Sequence, residues 1–76
     1  MKWFKEVFLP SITEGMPINS SRWITEKQAA ICLRYMQQDK WFGGYQIKVN
    51  GLWYSVSVMK KGYGRITVSE TSSSST

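Results

Sequence analysis

Two turn signals in the C-terminal third constrain the fold of this chain more than any other feature. Asn50-Gly51 and the run Lys60-Lys61-Gly62-Tyr63-Gly64 cut residues 45–70 into three short segments, each alternating apolar and polar side chains. Alternation with period two marks strands with one buried face, because successive side chains of an extended chain point to opposite sides. Asn-Gly is the preferred pair for a two-residue hairpin loop, whose type I′ turn needs positive φ at both central positions. Such a loop pairs Val49 with Leu52, Ile47 with Tyr54 and Tyr45 with Val56, all facing the core. For Ile66 and Val68 to share that face, the pattern predicts Ile66 opposite Val58 and Val68 opposite Val56. That arrangement requires an odd-numbered second loop or a bulge within residues 60–64.

Upstream the periodicity is helical. Trp3, Phe4, Val7 and Phe8 fall on one side of a helical wheel and Lys2, Lys5 and Glu6 on the other, which predicts a first helix from about Lys2. Pro10 clashes with the Glu6 carbonyl in a continuous helix, so the segment either stops near Leu9 or kinks and runs on to Glu14, before Gly15. Residues 16–21 read as loop. Thr25-Glu26-Lys27-Gln28 is a capping box, and it predicts a second helix from Glu26 to about Lys40, ended by Gly43-Gly44. Ala29, Cys32, Leu33 and Met36 form its buried stripe. Ile31 and Tyr35 form a second apolar patch beside Lys27 and Arg34, open to helix 1 or to a partner; cover by helix 1 is favoured because its own aromatics must bury. Of the adjacent aromatics Trp41 and Phe42, one is expected to cap the end of the sheet. The predicted fold is therefore α+β, two N-terminal helices followed by a three-stranded antiparallel β-meander. It forms one domain over residues 1–70, with a disordered Ser/Thr-rich tail at 71–76.

A domain this small hides only about 60% of its unfolded-chain surface, so large side chains must fill its core. Four Trp, four Tyr and three Phe supply them. Cys32 is the sole cysteine, which excludes an intrachain disulfide and a cysteine-based zinc site and fits a reducing cytoplasm. Charges at Lys2, Lys5 and Glu6 interrupt any signal-peptide core. No stretch approaches the roughly 20 apolar residues of a membrane span, so a soluble, cytoplasmic protein with no membrane partner is expected. The net charge of +5 favours polyanionic partners, although it is also ordinary for solubility. There is no His, the commonest general base and metal ligand, and Glu6, Glu14, Glu26, Asp39 and Glu70 are scattered. The expectation is a protein that is not an enzyme, with no cofactor and no metal.

The predicted outer face of the meander places Lys48 opposite Trp53, Ser57 opposite Thr67 and Met59 opposite Arg65, with Lys60, Lys61 and Tyr63 at the second loop. Cations beside exposed rings suit nucleic acid, since cations meet phosphates while rings stack on unpaired bases. The Lys48–Trp53 pair serves the sheet alone equally well, as a cation–ring contact worth about 0.5–1 kcal/mol. Trp53 and Met59 together also offer an apolar patch on a polar face. Residues 60–65 lack the spacing of a P-loop or dinucleotide motif. A second basic surface, Lys27, Arg34 and Gln38, lies on helix 2, where a solvated helix face is the default reading. The candidate binding residues are thus Lys48, Trp53, Met59, Lys60, Lys61, Tyr63 and Arg65.

In size, in the run Trp23-Ile24-Thr25-Glu26-Lys27-Gln28-Ala29 and in the hairpin Gly62-Tyr63-Gly64-Arg65-Ile66, the chain resembles small accessory proteins of phages and mobile elements of low-GC bacteria. The resemblance implies a non-enzymatic role, either binding DNA or RNA or blocking a host protein as anti-CRISPR proteins do. Lys48, Arg65 and Tyr63 are also loosely similar to the residues of certain mRNA-cleaving toxins, but those begin with a strand that this chain lacks. The leading expectation is a basic module that binds nucleic acid through the outer sheet face and second loop. The alternative is a phage-type inhibitor of a host defence protein, using Trp53, Met59 or the Ile31 and Tyr35 patch. Monomer and dimer both remain open.

Overall fold

Asn50 and Gly51 both adopt positive φ, 52° and 81°, and the hairpin they close has the expected register, Val49 with Leu52, Ile47 with Tyr54 and Tyr45 with Val56. Around this hairpin the computed structural model, which describes residues 1–71, builds a sheet of five strands. They are β1 Ser20–Ile24, β2 Gln37–Asp39, β3 Gly44–Val49, β4 Leu52–Val58 and β5 Gly64–Ser69, in spatial order β1-β5-β4-β3-β2 with every neighbouring pair antiparallel. The expectation of two helices followed by a three-stranded meander is therefore corrected: the three central strands are present, and a further strand lies on each edge. Of the predicted tail, residues 72–76 lie outside the described residues.

Both edge strands come from segments with little apolar alternation. In β1 only Ile24 is buried, and β2 is Gln-Gln-Asp with no apolar residue. β2 occupies what was predicted to be the end of helix 2. The second helix, α2, spans Glu26–Tyr35 and stops where Met36 turns extended, φ −93° and ψ 151°. Gly43 does not end it. Instead Gly43, at φ 78°, donates its N–H to the Asp39 carbonyl at 2.9 Å and closes the β2–β3 hairpin. A left-handed glycine bonded four residues back is also how many helices terminate, so the same local signal serves either structure.

The start of α2 is as expected. Thr25 Oγ1 accepts from the Gln28 N–H at 3.2 Å, and the Thr25 N–H donates to Gln28 Oε1 at 2.9 Å. The N-terminal helix also continues past Pro10. Phe4–Phe8 forms a π-helical turn in which the Leu9 N–H reaches the Phe4 carbonyl, and the short helix α1, Leu9–Ile12, follows with Pro10 in its first turn. The wider turn removes the need for a bond from residue 10 to Glu6, and a first-turn proline forfeits no helical hydrogen bond. Arg22, on β1, donates to the Ile12 and Glu14 carbonyls at 3.2 and 2.8 Å and ties the end of α1 to the sheet.

Both helical segments lie on one side of the sheet. Phe4, Phe8, Leu9 and Ile12 join Ile24, Ala29, Cys32, Met36, Val56 and Ile66 in a single buried cluster. Tyr35 stacks on Phe4 with centroids 4.8 Å apart and faces Trp3 at 6.3 Å, so the first helix covers the patch containing Tyr35, while Ile31 packs half-buried against the same core. Between β4 and β5 the register is Val56 with Ile66 and Tyr54 with Val68, two residues from expectation. A shift of two preserves the faces, whereas a shift of one reverses them. Val58 consequently lies opposite Gly64 at the sheet end and is 39% exposed, outside the core to which it was assigned.

Candidate functional site

Among the described residues both helical segments pack on one face of the sheet, and strand pairing determines what stands on the other. Trp23, Arg65 and Ser57 are cross-strand neighbours in one row, and Ser69, Trp53 and Lys48 form another. Ser57 therefore opposes Arg65 and Ser55 opposes Thr67, which replaces the predicted pairings of Ser57 with Thr67 and Met59 with Arg65.

Two cation–aromatic groups result. In the first, the Arg65 guanidinium lies 5.6 Å from the Trp23 ring centroid, and Tyr63 meets the same indole edge-on at 5.3 Å. Lys60 and Lys61 are exposed at the adjoining loop tip. The loop is held by the Met59 N–H to the Tyr63 carbonyl and the Gly62 N–H to the Met59 carbonyl, at 2.8 and 2.9 Å. In the second group, Lys48 Nζ sits 5.9 Å from the Trp53 ring centroid. The two indole-bearing positions are about 16 Å apart by strand rise and inter-strand spacing. Between them lie Ser57 and Thr67, both half-buried, and Ser55, which is fully buried beside Gln46, with the Ser21 and Thr67 hydroxyls 3.1 Å apart. The face thus carries a ring and a cation at each end.

The acid of β2, Asp39, is committed to the fold. Asp39 Oδ1 accepts from the Trp41 and Phe42 N–H groups at 2.9 and 3.1 Å, and Oδ2 accepts from Gln46 Nε2. Phe42 covers Gly44: a Cβ at that glycine would lie 2.8 Å from the Phe42 ring and 2.5 Å from the Val56 carbonyl oxygen. Of the two adjacent aromatics, Phe42 packs against the sheet, while Trp41 is 93% exposed.

Of the predicted residues, Tyr63 and Arg65 come together, with Lys60 and Lys61 at the adjoining loop tip. Lys48 and Trp53 meet as predicted but at the other end of the face. Met59 begins the loop at the far end of β4, about 20 Å along the strand from Trp53, so the two form no common apolar patch. The sequence alone does not reveal Trp23, because residues 16–21 read as loop and no strand is expected ahead of the capping box. The adjacent β-formers Trp23 and Ile24, just before the capping box, were the available signal.

Among the described residues no group of three or more His, Cys, Asp or Glu gathers as a metal site, and no helix is long and apolar enough to cross a membrane. Cys32 is fully buried in the core, and burial pushes its thiol up to about 12, which leaves it protonated and unreactive. Compared with protein-family models, with curated proteins and with solved structures, the chain matches none.

Proposed function

We propose that this protein is a non-enzymatic module that binds single-stranded nucleic acid across the outer face of its sheet. The observation that carries the reading is the Trp23–Tyr63–Arg65 cluster standing on the same face as Lys48–Trp53. If these rings served only the sheet, they would be covered, yet Trp23 is 59% and Tyr63 40% exposed. Exposed rings flanked by cations are a stacking platform for bases, worth about 1–3 kcal/mol per base. Arg65, Lys48, Lys60 and Lys61 are placed for the backbone phosphates. The working setting in this proposal is the bacterial cytoplasm, as an accessory protein of a phage or mobile element.

Fluorescence anisotropy with labelled single-stranded DNA and RNA of about twelve nucleotides tests the reading, a length within the range bound by comparable sheet platforms. Binding should weaken on Trp23→Ala and on Arg65→Ala. Affinity equal to that of a charge-matched control protein would overturn it.

A second reading rests on the helical side. Met1, Trp3 and Val7 are 58%, 49% and 56% exposed, an apolar patch suited to a protein partner such as a host defence factor. Nuclease-resistant capture of a defined host protein, lost on Trp3→Ala and retained on Trp23→Ala, would favour it.

A further inference from the structure

β2 is three residues long and pairs with β3 only from Gly44 to Gln46, so among the described residues none forms a strand on the outer side of residues 47–49 of β3. The notch beside them is a cavity of about 650 Å³, within the size range of small-molecule sites. Its lining combines three cations, Lys5, Lys40 and Lys48, with the indoles of Trp41 and Trp53 and the amide of Gln37. Asp39 is the one carboxylate among the lining residues, and both its oxygens accept bonds from within the β2–β3 hairpin.

We infer that this notch is a nucleotide site, in which a base stacks on the indoles and its phosphate meets the lysines. Cations alone would accept any anion, and rings alone any apolar body. A flat heterocycle carrying a phosphate satisfies both, and the exposed Gln37 amide offers hydrogen-bonding groups to its edge. An extended acidic peptide would engage the lysines but leave Trp41, 93% exposed, without a planar partner. The nucleotide comes either from free solution or from the end of a strand lying on the sheet face. The strand-end source rests on the function proposed above, and the free-nucleotide source does not.

The test uses the full chain, its tryptophan fluorescence and three probes: adenosine 5′-monophosphate, inorganic phosphate, and a single-stranded oligonucleotide with or without a 5′ phosphate. Trp41→Ala and Lys40→Ala alter exposed groups of the notch, and Trp23→Ala alters only the far end of the face. Saturable quenching by the monophosphate, tighter than by phosphate and about tenfold weaker in Trp41→Ala, would establish the free-nucleotide source, with Trp23→Ala unchanged. Oligonucleotide binding that falls similarly in Trp41→Ala and depends on the terminal phosphate would establish the strand end. If the monophosphate binds and the oligonucleotide does not, the notch stands and the reading of the whole face fails. The inference is overturned if neither nucleotide probe responds to Trp41→Ala or Lys40→Ala, or if the monophosphate binds no better than inorganic phosphate and oligonucleotide binding is indifferent to the terminal phosphate.

Discussion

Salt dependence offers the sharpest test of the proposed binding face. Lys48, Lys60, Lys61 and Arg65 are exposed, and in the proposed complex each meets one phosphate of a strand crossing the face. Four phosphate contacts on a single strand predict a slope of log affinity against log salt of about −2.8, because each releases about 0.7 of a counterion. Between about 50 and 200 mM salt the affinity should then fall about 50-fold. The double variant Lys60→Ala with Lys61→Ala removes two contacts from a solvent-exposed loop tip without disturbing the core. Its slope should drop to about −1.4, leaving only about a sevenfold loss over the same range. Trp23→Ala should behave differently, lowering affinity by about 1–3 kcal/mol at every salt concentration while the slope stays near the wild-type value. Anisotropy titrations at four or more salt concentrations yield all three slopes. A wild-type slope shallower than about −1, or a double-variant slope equal to wild type, would refute the placement of these cations on phosphates.

Other consequences concern stability. Gly44→Ala forces a Cβ to within 2.5 Å of the Val56 carbonyl oxygen, a backbone atom that cannot easily retreat, and 2.8 Å of the Phe42 ring. The cost should be about 1–3 kcal/mol, read as a lower urea midpoint at unchanged slope, and an unchanged midpoint would show that the sheet yields there. Thr25→Ala removes the acceptor of the Gln28 N–H and should cost about 1 kcal/mol, measured as a fall in Tm of about 4–8 °C. Burial raises the Cys32 thiol from its ordinary 9.0 to about 12, so the folded state holds its proton where the unfolded state releases it. The contribution of Cys32 to stability should therefore be constant below pH 9.0 and decline as pH climbs toward about 12, a decline that Cys32→Ala abolishes in urea titrations.

The parts of the fold that were legible in the sequence are those whose two faces differ in chemistry. β3 and β4 alternate strongly, Asn50-Gly51 fixes their register, and β5 presents its apolar residues to the expected side. The β4–β5 register was displaced by two because the second loop, rich in glycine and lysine, encodes no length, yet period two kept Arg65 outside and Ile66 inside. β1 and β2 were illegible for a common reason. Edge strands meet water along one side, and polar residues there guard against unwanted pairing while erasing the alternation that reveals a strand. β2 carried the added ambiguity of Gly43, whose left-handed turn suits a helix end as well as a hairpin. These errors hid one residue of the candidate site: Lys48, Trp53, Tyr63 and Arg65 follow from legible strands and the loop between them, whereas Trp23 stands on an illegible strand and joins the site only through tertiary structure.

The pairing of β1 with β5 brings together residues far apart in the chain, as in the Ser21–Thr67 contact across 46 positions. Closing so long a loop is entropically slow, while the β3–β4–β5 hairpins need only local turns. The Trp23 end of the face should therefore be assembled last during folding and lost first during partial unfolding, with the Lys48–Trp53 end outlasting it. A strand bound across both ends would bridge the latest and earliest parts of the fold. It would slow hydrogen exchange in β1 more than anywhere else in the sheet, so the ligand would act as the missing staple of its own binding site.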